Sequence, residues 1–376
     1  MIQVHGRVIL AMSVGAGMLL SGPAWSFYQQ TNLVSDLPGV AKFQDPDLVN
    51  PWGMSASPTS FIWASDNGTG LATLYTGDGQ KQALVVTIPP PGGSPAGSIS
   101  APTGQVFNSA GGGTFGGAAF MFATEDGTIA AWSGGPAATL SVDNSGASAV
   151  YKGLAISGTG ASARIFATNF NSGKVEAFDS SFTPILAGKF VDPTLPTGYA
   201  PFGIQTIGGK VYVTYALQDV PGNGHDDQAG AGHGFVDVYD TDGNLLNRLV
   251  SQGALNSPWG LALAPNDFGS SSGDLLVGNF GDGTINAYDP TTGAFLGTLD
   301  AANGNPIVIE GLWGLMFGNG AHDALTDELF FTAGIPGPGA VEDHGLFGTL
   351  SVPEPSTMAL LVSGIGLLAI RRRRRA

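Results

Sequence analysis

The chain has 376 residues, among them 59 Gly, 24 Pro and no Cys, with a net charge of −15. A hydrophobic content of 43% excludes a disordered or collagen-like chain, and the missing cysteines exclude disulfides, thiolate metal sites and a Cys nucleophile. Between Phe27 and Val352 only 8 basic residues face 28 acidic ones, a net −20 that repels nucleic acid phosphates and anionic lipid heads.

Residues 1–26, MIQVHGRVILAMSVGAGMLLSGPAWS, read as a signal peptide. Arg7 supplies a basic start, Val8 to Leu20 an apolar stretch, and Ala24-Trp25-Ser26 a small-x-small cleavage site ending at Ser26. Gly22-Pro23 breaks the helix that an uncleaved anchor or a buried helix would need. Next comes a lone strand-like piece, YQQTNLV, at 28–34.

The body then repeats. NPWGMSA, APTGQVF, YKGLAIS, APFGIQT, SPWGLAL and GLWGLMF share a turn, a glycine and an apolar strand. Their glycines are Gly53, Gly104, Gly153, Gly203, Gly260 and Gly314, in steps of 51, 49, 50, 57 and 54. A second apolar run follows each (FIWAS, AAFMFAT, RIFATN, KVYVTYA, DLLVGN, ELFFTA), then a Gly-containing turn and a third strand such as GTIAAW or GFVDVY. Fourth runs such as QALVVTI and LLNRLV close the units. Four short strands per unit, six times over, predict an all-β, six-bladed β-propeller of four-stranded antiparallel blades. The last unit ends after GLFGTLSV with three strands, so 28–34 is expected to supply the fourth and close the ring. Asp-Gly pairs such as Asp126-Gly127 and Asp282-Gly283 read as turn formers.

In such a meander the inner-strand turns and the loops between second and third strands share one face. Trp52, Phe202, Trp259 and Trp313 occupy equivalent positions there. They either pack between blades or form an aromatic rim that stacks on sugar rings or apolar ligands. Two insertions break the repeat on the same face. LQDVPGNGHDDQAGAGHG in the fourth unit carries Asp226 and Asp227, and GIPGPGAVEDHG in the sixth carries Glu342, Asp343 and His344. These are either solvated loops or oxygen and nitrogen donors that lean inward to share a divalent cation. No Gly-x-Ser-x-Gly, His-Glu-x-x-His or P-loop motif is present.

The Pro-x-Gly-apolar start and the apolar-x-apolar-Tyr/Phe-Asp third strand resemble NHL-type and lactonase-like propellers. The lactonase resemblance implies one Ca²⁺ held in the channel by Glu, Asn and Asp. Asn169 and Asn279, which end second strands, fit such roles, although no complete ligand set is matched.

The chain finishes with Val352-Pro353-Glu354-Pro355-Ser356, a short apolar stretch from Thr357 to Ile370, and Arg371 to Arg375. The stretch is short for a span of about 20 residues, and the arginines stay cytoplasmic, so the body is left outside. Motif, short transmembrane helix and Arg cluster in that order resemble the PEP-CTERM sorting signal. That implies an exosortase-type membrane enzyme acting near Pro353, Glu354 and Pro355. The whole chain is similar to a family of PEP-CTERM exported propellers to which no activity comes attached. The expected division is 1–26 signal peptide, 27–352 propeller and 353–376 sorting signal. The expected role is a binding or structural module at the cell surface or extracellular matrix, met there by a polysaccharide or protein. The alternative is a metal-dependent, lactonase-like hydrolase or lyase with Ca²⁺.

Overall fold

The computed structural model describes residues 27–219, 224–339 and 341–353. The expected cleavage site at Ser26, together with Glu354, Pro355, the apolar stretch and the Arg cluster, lies outside the described residues. The described part is a six-bladed β-propeller in which the first five sheets each run outward from the centre in chain order. Blade 1 comprises Pro51–Ser55, Ile62–Asp66, Leu71–Tyr75 and Val86–Thr87. Blade 2 is Pro102–Phe107, Phe120–Thr124, Thr128–Trp132 and Thr139–Asp143; blade 3 is Tyr151–Ser157, Arg164–Asn169, Lys174–Asp179 and Pro184–Ile185. Blade 4 is Tyr199–Ile207, Lys210–Leu217, Phe235–Tyr239 and Leu245–Ser251; blade 5 is Pro258–Leu263, Leu275–Asn279, Ile285–Tyr288 and Phe295–Thr298.

Blade 6 closes the ring. It takes Leu312–Phe317, Leu329–Ala333 and Leu346–Ser351 from the end of the body and Gln29–Ser35 from its start. The two ends pair antiparallel, with Gln29 opposite Ser351 and Ser35 opposite Leu346. Tyr28 adds an anchor: its ring stacks 4.8 Å from Phe268 and its hydroxyl donates to the Phe268 carbonyl at 3.1 Å. A two-residue strand, Phe43–Gln44, runs parallel to Gln29–Ser35 outside it, so this sheet has five strands. The sequence repeat carries no trace of that fifth strand.

The repeated glycines have a steric cause. Around the channel, each inner strand runs against the inner strand of the next blade. A Cβ on Gly53 would stand 2.6 Å from the Thr103 carbonyl oxygen, on Gly203 2.0 Å from that of Trp259, and on Gly260 2.6 Å from that of Trp313. Gly314 completes the circle, with its Cβ position 2.6 Å from the Trp52 oxygen. Only a residue without a side chain permits this approach. Threonines of the second strands tie the same seams: Thr168 Oγ1 donates to the Phe202 carbonyl at 2.7 Å and Thr332 Oγ1 to that of Trp52 at 2.5 Å.

Apolar side chains of the strands fill six separate clusters, one in each gap between adjacent blades. Alternation along each strand sends one set of side chains into each flanking gap, so a blade contributes to two clusters. A seventh cluster sits in the channel itself.

Candidate functional site

Trp52, Phe202, Trp259 and Trp313, each just before an inner-strand glycine, form the channel cluster, and Lys152 at the same position of blade 3 lies against it. The four aromatics do not form an open rim. Trp52 and Trp313 stack with centroids 3.4 Å apart, Trp259 meets both edge-on at 6.0 and 5.8 Å, and Phe280 stacks on Trp313 at 4.0 Å. Phe202 lies 5.8 Å from Trp313. None of the four is more than 9% exposed, so the channel is plugged where stacking on a sugar would need a free ring face.

Lys152 is the charged exception among these positions. Its side chain is buried, with Nζ 5.0 Å from the centre of the Trp52 ring and 5.9 Å from that of Phe170. The ammonium contacts Glu125 Oε1 from the loop of blade 2 and stands 3.8 Å from Asp226 Oδ1 of the blade 4 insertion. Burial pulls its pKa down, but Glu125, Asp226 and Glu342 more than offset that and leave it raised, so the site holds a permanent cation.

Carboxylates and amides from several blades surround it. Glu125 Oε2 accepts from Asn67 Nδ2 at 2.8 Å, and Asn50 Nδ2 donates to Asn67 Oδ1 at 3.3 Å and to Glu342 Oε1 at 3.1 Å. Asn50 Oδ1 in turn accepts from Trp313 Nε1 at 3.1 Å, which joins the polar mouth to the aromatic plug. Trp259 Nε1 donates to the Lys152 carbonyl at 3.0 Å. Burial, then repulsion by Glu125, pushes Glu342 up to about 7 against the opposing pull of Asn50 and Lys152. Burial also raises Asp227. Asp226 is lowered, first by its hydrogen bond to His225 at 2.9 Å, and the same bond raises His225.

Of the residues expected to hold a cation, Asp226, Asp227 and Glu342 do gather here, from insertions on blades 4 and 6. Asp343 turns back on its own loop and accepts the Gly339 N–H at 2.6 Å. His344 Nδ1 is 2.6 Å from Asp36 Oδ2, at the end of the closing strand. Asn169 and Asn279 serve their own turns. Asn169 accepts the Val150 and Ser172 N–H groups and donates to Glu176, while Asn279 accepts the Asn256 N–H and donates to the Ala254 carbonyl and Thr284. Sequence reasoning missed Lys152, Glu125 and Asn50. Among the described residues, the one set of His and carboxylate atoms close enough to share an ion is Glu125, His225 and Asp226, within 4.8 Å of one another. Lys152 reaches two of the three.

Comparison with known proteins bears on the body and on the tail. Residues 351–375 match the model of the PEP-CTERM protein-sorting motif, which marks the chain as an exported protein with a C-terminal sorting tail processed by an exosortase-type enzyme. The chain is 33% identical over 316 residues to Uncharacterized protein R648 of Acanthamoeba polyphaga mimivirus, covering 80% of this chain and 75% of that protein. It is 32% identical over 317 residues to Uncharacterized protein L690 of the same virus, covering 80% of each. Among solved structures, a virginiamycin B lyase of Staphylococcus aureus is similar at 12% identity and a TM-score of 0.49, over 87% of this chain and all of that one. An aldose sugar dehydrogenase of Streptomyces coelicolor is similar at 13% identity and a TM-score of 0.47, over 88% and 99%. Likenesses this distant say nothing of the chemistry of this chain.

Proposed function

The chain belongs to the family of these two mimivirus proteins, and from that footing we propose that this member is a non-enzymatic binding or structural module of the cell surface or extracellular matrix. The leader at 1–26 is removed, the tail from 353 onward is cut by an exosortase-type enzyme near Pro353-Glu354-Pro355, and the propeller body is delivered outside. One observation carries the reading. The channel, where a propeller enzyme would hold its metal and substrate, is filled by Trp52, Trp259, Trp313 and Phe280 and closed over by the buried Lys152, paired with the half-buried Glu125. Ligand contact is therefore assigned to the loops of the outer faces, where a polysaccharide or protein of the envelope or matrix would dock.

The test is sedimentation of the exported protein with envelopes and matrix polysaccharide prepared from its own host. Saturable retention in the pellet supports the reading, and free protein in the supernatant at every concentration contradicts it.

A second reading is favoured by one observation, the closeness of Glu125, His225 and Asp226. It is a Ca²⁺-dependent, lactonase-like hydrolase or lyase, with the metal at that trio and Asp227 and Glu342 beside it. Lactone hydrolysis that requires Ca²⁺ and is lost in Asp226→Ala would select this reading over the binding module.

A further inference from the structure

An apolar cavity lies away from the channel, along the outer edge of blade 3, where Val175 and Ala177 face blade 4 and Lys174 and Glu176 stand on the other face of the same strand. Its volume is about 380 Å³, within the range of small-molecule sites, and Val175, Ala177, Ile185, Leu186, Phe190 and Leu195 form its apolar walls. The outer strand of blade 3 has only two residues, Pro184–Ile185, against seven in blade 4. That shortfall leaves the gap, and the following loop folds over it. Two wall residues, Leu186 and Phe190, are held at φ of 55° and 56°, a left-handed backbone that bulky side chains rarely adopt. Strain of this kind persists where the surroundings over-determine it, and it concentrates at ligand sites.

The polar side chains on the cavity select the ligand. Glu176 accepts from Tyr151 and Asn169, and Asn144 donates to both Tyr151 and Glu176. Asp192 pairs with Arg248 and accepts twice from Thr194. The Tyr215 hydroxyl is paired with that of Tyr239 at 2.7 Å, and Lys189 donates to Asn244 at 2.9 Å. Lys174 remains, exposed at the rim, the one lining side chain with a charge and no partner among the described residues.

We propose that this cavity binds a small amphipathic acid, with its hydrocarbon part among Val175, Ala177, Leu186 and Phe190 and its carboxylate at Lys174. A cationic head would face Lys174 and Lys189 while the carboxylates there already hold hydrogen-bond partners, and an uncharged chain leaves Lys174 unused. The site is separate from the channel mouth, and its occupation does not depend on what the outer faces dock.

Calorimetric titration of the exported protein with decanoate tests this, with decanol and decylammonium as probes of the same length. Decanoate should bind once per chain and about fivefold more tightly than decanol, the margin of one partly exposed charge pair. Lys174→Ala should bring decanoate down to the level of decanol, and Ala177→Phe, which fills the cavity, should abolish both. Lys174 is a surface residue, so its variant keeps the test intact even if Ala177→Phe fails to fold. No decanoate binding, binding of many copies per chain, equal binding of decylammonium, or decanoate affinity unchanged in Lys174→Ala would each overturn the proposal.

Discussion

The ammonium of Lys152 stands 5.0 Å from the centre of the Trp52 ring while contacting Glu125, so one buried side chain links the aromatic plug to the carboxylates above it. The attraction of a cation for a ring face adds to the ion pair where water is excluded. The same position carries an aromatic in four of the six blades and threonine in blade 2. A covalently attached ammonium neutralises crowded carboxylates without an exchangeable ligand.

Glu342 titrates near 7 in the fold against an ordinary value of 4.5. A raised carboxyl pKa means that the folded state holds the proton more tightly. Its stability contribution is complete below pH 4.5 and lost as pH rises through 7. Glu125, Asp227, Asp226 and Lys152 face the same group and are unchanged in a Glu342→Gln variant, which mimics the protonated form. At pH 8 the variant should be more stable than the native protein by about 3 kcal/mol, and the difference should all but vanish by pH 4.5. Asp237, also pushed up to about 7, titrates in both proteins and cancels in the comparison. Thermal midpoints across pH 4.5–8 give the answer, and a difference independent of pH would contradict the assignment.

The ring of close approaches predicts that Gly203→Ala is destabilising by about 2–3 kcal/mol, because its Cβ would stand 2.0 Å from the Trp259 carbonyl. Gly146→Ala, where nothing lies within 4 Å, should stay within about 0.5 kcal/mol. Urea unfolding of the two variants measures both. Equal stabilities would mean that the inner strands have room that this geometry denies them.

Much of this body was legible in the sequence because every blade meets the same constraint at the same place. Gly53 through Gly314 recur since each inner strand must let its neighbour approach, and a steric demand repeated six times becomes a visible period. The site was far less legible. Glu125, Lys152 and Asp226 come from three blades, and a pairing across such separations leaves no local pattern. Lys152 did leave one mark: it is the sole charge at a position otherwise aromatic or threonine. The insertions are Gly-rich, with little propensity to fix where each side chain goes, so the neighbours Glu342 and Asp343 part, one to Asn50 and the other to Gly339. Asn169 and Asn279 show the reverse ambiguity. An asparagine that ends a strand can bind a cation or hold a turn, and here the backbone N–H groups of Val150 and Asn256 claim their side-chain oxygens.

Ring closure predicts that removing residues 28–34 sharply lowers the thermal midpoint. The deletion leaves Leu346–Ser351 as an open edge and takes Tyr28 from its stack on Phe268. Tyr28→Ala alone should cost about 3–5 kcal/mol, since the residue is 3% exposed and packed into the cluster of blades 5 and 6. A deletion that melts like the parent would mean that the edge strand contributes nothing to the ring.

Sorting is tested in a host that has the processing enzyme. Pro353 and Pro355 lie within the matched motif, and replacing both by Ala tests whether it is read as a sorting signal. An unprocessed, membrane-retained protein is expected on fractionation, and normal release of the variant would show that the tail is read otherwise.

Lys152 is the cation that the carboxylates at the channel mouth share. The most direct measurement is the thermal midpoint of the native protein and of Lys152→Met as free Ca²⁺ rises to the millimolar range. Methionine keeps the stem and removes the charge. Without calcium the variant should lose about 3 kcal/mol, because Glu125 is left partly buried beside Asp226, Asp227 and Glu342 with no ammonium to pair with. Calcium should then restore much of that loss in the variant and shift the native protein little. A saturable calcium stabilisation of the native protein that disappears in Asp226→Ala would contradict the claim and give the mouth to a metal.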